Sequence, residues 1–398
     1  MQPMFKKAKI KVSVCIPVCG TEKYLADCLE SVALQDFEGV EIIVVDDGGV
    51  WNAGRKSETA KQILKEFCKA HKKQKFLVNF IKHEKNKGLV ETRRSAVFEA
   101  NGDFIIFLDS DDTLPLYAIR VLYENAEKTG ADIVHGKASV DFRGDEIAEK
   151  SLGPGRCGVS PLEGVGSNEV RASKRKAVAL KFDREQEVRP RGSLSPLPDS
   201  ELERRKSVIG KKVNKVFFGE LEEKAIFDGF LVKNNHCGFL WGKIYKRELC
   251  VKAFSMIPPV YCCMGEDFLT YFWLSFFAEK YLGIEAEVYN YFIDTGISSG
   301  KDIVSIEEWR KICSTASIFT ILLNAVQEEN FGFSAVEIEK IKEICRSYAA
   351  NNLMQFEKFV VPALKNVAYE ELCDWWGKNM IEGIKDLMEN SSKENSDE

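Results

Sequence analysis

The 398 residues are 45% hydrophobic and 29% charged, enough to bury a large core divided among two or three units. A formal net charge of −5 excludes non-specific nucleic-acid binding by the chain as a whole. The twelve cysteines are scattered, with only Cys262 and Cys263 adjacent and no CxxC pair, so a reduced, cytoplasmic protein is expected rather than a zinc ribbon or disulfide framework. The basic start lacks an apolar h-region and no apolar run reaches about eighteen residues, so neither a secretion signal nor a membrane span is expected.

Strand and helix patterns alternate through the first 140 residues. Residues 11–18 read as a strand, 22–34 as an amphipathic helix with Tyr24, Leu25, Cys28, Leu29 and Val32 on one face, and 41–45 as a second strand. A third strand is expected over 76–81, a helix over 89–100, a fourth strand over 103–108, a helix over 115–128 and a fifth strand over 132–135. Such units force parallel pairing through right-handed crossovers, which predicts an α/β fold with a doubly wound nucleotide-binding domain.

The strand ending in Phe104-Ile105-Ile106-Phe107-Leu108 stops at Asp109-Ser110-Asp111-Asp112. Its unbroken apolar run predicts burial on both faces, so the acids emerge at the carboxyl edge of the sheet, where open α/β folds hold ligands. In extended backbone, residues two apart point the same way, so Asp109 and Asp111 are candidates to converge on one hard cation. A plain helix cap by Asp111 or Asp112 is the alternative. Asp46 and Asp47 follow the second strand and are suited to accept from ribose hydroxyls or a base N–H, although Asp-Asp-Gly-Gly is also an ordinary turn. Neither G-x-G-x-x-G after the first strand nor a G-x-x-x-x-G-K-[ST] run occurs, so a carboxylate-held cation is the expected means of meeting phosphate.

Residues 171–215 carry fourteen Lys and Arg against six Asp and Glu, with Pro190, Pro196 and Pro198 interrupting regular structure. A basic, partly disordered insertion is expected over 141–215, either a solvated loop or a tether to anionic lipid head groups. Beyond residue 303 the pattern turns helical: Trp309, Ile312, Ala316, Phe319 and Leu323 mark one helix, with others over 336–356 and 369–388 and a disordered tail over 390–398. Trp375-Trp376 reads as core packing, with an acceptor or membrane surface as the alternative. The expected division is 1–140, 141–215, 216–300 on the acceptor side, and a C-terminal helical region over 301–398.

Taken together these residues resemble the family 2 glycosyltransferases of the GT-A fold. The resemblance runs through Lys11-Val-Ser-Val-Cys-Ile-Pro-Val18, Glu41-Ile-Ile-Val-Val-Asp-Asp-Gly48, Asn86-Lys-Gly-Leu-Val-Glu-Thr-Arg93 and the Asp109–Asp112 run. Further on, Trp241-Gly-Lys-Ile-Tyr-Lys-Arg-Glu-Leu249 and Gly265-Glu-Asp-Phe268 resemble bacterial members that build surface polysaccharides. It implies an inverting, hexosyltransferase-like enzyme that uses a nucleotide-diphosphate sugar, usually UDP-linked, and a glycan or lipid-linked acceptor. On this likeness Pro17, Val18 and Asp46 or Asp47 would face the base and ribose, Arg93 the nucleotide side, Asp109 the ribose or metal, and Asp111 the Mg²⁺ or Mn²⁺ ion. Asp267, with Glu266 second, would be the base, although acids in a first helical turn are also favoured by the helix dipole alone. Peripheral contact with an anionic membrane is a further expectation. A nucleotidyltransferase and a catalytically inactive nucleotide-sugar scaffold are the other readings. The chain departs from the family at Cys19-Gly20 and Gly49, and offers no arginine around 289–299, where Lys243 or Lys301 would have to compensate.

Overall fold

The computed structural model describes residues 9–48, 59–72, 77–143, 199–293 and 302–394. In chain order the elements are β1 (Val12–Val18), α1 (Glu22–Ala33), β2 (Val40–Asp46), α2 (Ala60–Ala70), β3 (Leu77–Lys82), α3 (Leu89–Glu99), β4 (Phe104–Phe107), α4 (Ala118–Thr129) and β5 (Ile133–Phe142). There follow α5 (Asp199–Val213), β6 (Gly219–Glu222), α6 (Lys224–Leu231), β7 (Lys243–Lys246), α7 (Arg247–Met256), α8 (Glu266–Phe277) and β8 (Lys280–Ile293). The chain closes with α9 (Ile306–Cys313), α10 (Ala316–Ala325), α11 (Ala335–Phe359), α12 (Lys365–Trp376) and α13 (Lys378–Glu394). Residues 1–142 and 206–398 form one compact unit and 143–205 another.

The described strands make one sheet in the order β3-β2-β1-β4-β7-β5-β8-β6. The pairs β1–β2, β1–β4 and β2–β3 are parallel, as the strand–helix alternation requires. β7 departs from that expectation: it enters antiparallel between β4 and β5, with Phe104 opposite Lys246 and Ile133 opposite Tyr245. Its four residues, Lys243-Ile-Tyr-Lys, are too short for hydrophobic alternation to announce a strand.

Burial follows the two-residue period of the strands. Val12, Val14, Ile16, Ile42, Val44, Phe104 and Ile106 face one core with α1, α2 and α4. Cys15, Ile43, Val45, Ile105 and Phe107 face the other, which continues through α7, α8 and the C-terminal helices. The fold is thus α/β, with a C-terminal helical region.

Several expected boundaries change. The single helix expected through Trp309 and Leu323 is two, α9 and α10, because Ser314 and Thr315 bond carbonyls of the preceding turn. The helix expected over 369–388 breaks at Gly377, which has φ of 84°, and the tail expected to be disordered continues helical to Glu394. Most of the 141–215 insertion lies outside the described residues, but its end is the helix α5, which begins directly after Pro198. Trp376 is buried and donates to Asn352 at 2.9 Å, the packing role expected of it. Eleven described cysteines are unbridged. No described helix is long and apolar enough to cross a membrane.

Candidate active site

The carboxyl edge of β1, β2 and β4 collects the acidic turns. β4 ends at Phe107, and Asp109–Asp112 is a turn closed by the Asp112 amide on the Asp109 carbonyl at 3.0 Å. The extended spacing expected to align Asp109 with Asp111 is therefore absent, although both side chains remain half-buried at the same edge. Asp112 caps no helix. Fully buried, it accepts from the Tyr289 hydroxyl at 2.9 Å and the Phe292 amide at 2.8 Å, while the Asp109 amide donates to that hydroxyl at 3.2 Å. β8 thereby pins the acidic turn, and Trp241 stacks on Tyr289 at 4.7 Å. Burial, then Asp111 and Asp109, push the Asp112 carboxyl well above the carboxylate range.

Asp46 and Asp47 separate into two roles. Asp46 is half-buried at the edge, and its side chain accepts a local bond from the Gly48 amide at 3.0 Å. Asp47 is 3% exposed and holds the turn into α3: it accepts from the Lys87 and Gly88 amides at 2.9 Å each and meets His83 Nδ1 at 2.7 Å. His83 Nε2 in turn meets the Ser95 hydroxyl on α3 at 2.9 Å. Pro17 and Val18 sit inside the sheet, with the Val18 carbonyl taken by the Asp47 amide at 3.0 Å. The exposed residue at that strand end is Cys19, whose sulfur accepts from Asn86 at 3.3 Å.

Arg93 departs from its expected nucleotide-side position. At 1% exposure on the inner face of α3, it donates to Asp109 at 2.9 Å, Glu266 at 3.0 Å and Asp267 at 2.8 Å. One guanidinium thus joins the turn after β4 to the first turn of α8. Burial opposes its charge, but Asp267, Asp109 and Glu266 outweigh burial and raise its pKa. Arg94 is no solvated neighbour either, since it donates to the Phe254 and Ile257 carbonyls.

α8 opens after Gly265, whose φ of 78° suits glycine and whose added Cβ would lie 3.0 Å from Ile318. Glu266 is the more enclosed acid, at 9% side-chain exposure against 22% for Asp267. Burial, then Asp267, raise Glu266 to about 8 while Arg93 pulls it down. Burial raises Asp267 as well, with Arg93 opposing. Two acids beside one cation in a water-poor site are the conditions under which a proton is retained near neutral pH. Lys243, expected as a compensating cation, is fully buried; Lys301 lies outside the described residues.

Residues 13–163 match the family described as glycosyl transferase family 2. That segment of the chain is similar to the family. Over 125 residues it is 32% identical to glycosyltransferase GlyG of Streptococcus pneumoniae serotype 4, spanning 31% of this chain and 38% of GlyG. Over 148 residues it is 29% identical to the cholesterol galactosyltransferase of Borreliella burgdorferi, spanning 37% of each. The chain therefore spans well under half the length of these relatives. Staphylococcus aureus TarS 1–349 aligns over 94% of this chain and 91% of its own, at 16% identity and a TM-score of 0.43. The matched segment contains Asp46, Asp47, Arg93, Asp109 and Asp111 but stops about a hundred residues before Glu266.

Proposed function

We propose that this glycosyltransferase moves a sugar, with inversion, from a nucleotide-diphosphate sugar, UDP-linked, to a hydroxyl of a growing glycan or glycolipid. The observation that carries the reading is the Arg93 bridge, which sets the Glu266–Asp267 pair against the acidic turn after β4. Asp46 and the edge around Cys19 receive the base and ribose. Asp267, the more exposed acid, accepts the proton of the attacking hydroxyl, while Glu266, the deeper one, orients Arg93. A single displacement at the anomeric carbon inverts it.

Asp109 and Asp111 would hold a Mg²⁺ or Mn²⁺ ion, which when bound neutralises charge on the leaving diphosphate. The donor set fits such an ion: two hard carboxylates at an open edge suit a cation that completes its shell with phosphate and water. Among the described residues no cluster of three or more His, Cys, Asp or Glu could hold a metal by itself, so the shell needs that contribution. A lipid-linked acceptor, and contact with an anionic membrane through the basic 171–215 segment, are parts of the same proposal; the family 2 relative named for cholesterol supports the former.

The test pairs calorimetric UDP affinity, with and without Mn²⁺, with UDP release from UDP-glucose, UDP-galactose and UDP-N-acetylglucosamine. Asp267→Asn is expected to keep metal-dependent UDP affinity and lose turnover about 10²–10⁴-fold. If only Glu266→Gln loses turnover, the base is Glu266; if neither does, the pair is structural. UDP binding that ignores EDTA overturns the metal.

A further inference from the structure

Lys243 is fully buried on β7, opposite His135 of β5. Its ammonium donates to the Phe239 carbonyl, lies 3.9 Å from Cys237 Sγ and sits 5.1 Å from the centroid of the Tyr271 ring. Among the described residues it makes no ion pair within contact distance, and a buried charge without compensation is costly. Tyr271 follows Asp267 by four residues on α8, so the ammonium lies one helical turn along the same face. Arg93 meanwhile serves three carboxylates alone, leaving that group short of positive charge.

We propose that Lys243 is a positioning residue for transfer, its buried ammonium supplying from behind α8 the second positive charge that lets Asp109, Glu266 and Asp267 share Arg93. The inference rests on the reading of Asp267 as the base. Arg93 from α3 donates to Asp267 at 2.8 Å, and Asp109 after β4, Glu266 on its own helix, Lys243 and Tyr245 from β7, and Tyr348 from α11 are the other titratable groups coupled to it electrostatically. Of these only Arg93 and Lys243 bring positive charge. Burial lowers the pKa of Lys243, but Cys237 and then Asp267 favour its charged form. His135 and His236 do not substitute for it, because burial first and Lys243 second hold both below the usual histidine range. Lys243 is fully buried, so its effect on transfer runs through Asp267.

The experiment compares UDP release from the same three UDP-sugars, UDP affinity by calorimetry, and thermal melts for Lys243→Met, Lys243→Gln, Lys243→Arg and Asp267→Asn. Lys243→Met is expected to lower turnover about 10²-fold with UDP affinity unchanged, and Lys243→Arg to recover most of it. Should Lys243→Met fail to fold, Lys243→Gln, which still donates to the Phe239 carbonyl, carries the comparison. Wild-type turnover in either folded neutral variant, or equal loss in the arginine and neutral variants, overturns the charge role. Wild-type turnover in Asp267→Asn instead overturns the base assignment and this inference with it, whereas charge-independence at Lys243 beside an inactive Asp267→Asn removes the inference alone.

Discussion

At the scale of single residues, the three carboxylates around Arg93 are a burden the fold must carry. Buried acids are costly unless opposite charge and hydrogen bonds compensate, and one guanidinium offers both to all three. The burden is measurable through Glu266. Its ordinary pKa of 4.5 describes the unfolded chain, and in the folded protein it is raised, so the folded state keeps a proton that the unfolded state releases. Stability from that proton is complete below 4.5 and is lost as pH rises toward the folded value near 8. Glu266→Gln does not titrate, so its melting temperature relative to wild type is expected to climb across that window. A difference that stays flat from pH 5 to 8, measured by calorimetric melts, would show that Glu266 keeps its ordinary pKa in the fold.

The acids themselves were legible in the sequence because charged residues abruptly ending an apolar run have few structural uses. Their partners were not. Arg93 and Glu266 stand 173 positions apart, and no periodicity links them; Tyr289, which holds the acidic turn from β8, sits in a strand rich in aromatics with nothing to single it out.

Among elements, the start of α3 shows how a turn becomes machinery. Gly88 has φ of 88°, and an added Cβ would lie 2.8 Å from the Cys262 carbonyl, which itself accepts from the Leu89 amide at 3.0 Å. The loop ahead of α8 therefore rests on the first turn of α3, and Asp47 grips the same turn from below. Gly88→Ala is expected to destabilise by roughly 1–3 kcal/mol and to reduce turnover by displacing Arg93. A melt indistinguishable from wild type would mean that the loop adjusts freely and that this contact sets nothing. Strands β1 to β4 and helices α1, α3 and α4 follow their patterns to within a few residues. β7 does not, because a four-residue strand takes its direction from the sheet it completes, and α2 is not among the expected helices although Ile63, Leu64 and Phe67 form an apolar stripe along it.

For the whole molecule, the C-terminal helices extend the core that begins beneath β1. Ile318 of α10 and Tyr348 of α11 lie against Gly265, so the helix bearing Glu266 and Asp267 is seated on residues from the last quarter of the chain. A chain ending at residue 302 is expected to expose that core, bind a hydrophobic dye and lose its cooperative melt. A sharp melt with wild-type UDP affinity in the shortened chain would show that the helices are an accessory.

The Arg93 bridge also bears on how such a protein can be inherited. Its guanidinium is encoded in the segment the family shares, while two of its three partners are encoded far downstream. Grafting the first 163 residues onto the remainder of another enzyme would deliver a cation without its anions, unless the recipient happens to open a helix with two acids at the same height. The two halves are thus poor cassettes, free to drift in loops and acceptor surface yet obliged to change together at four side chains.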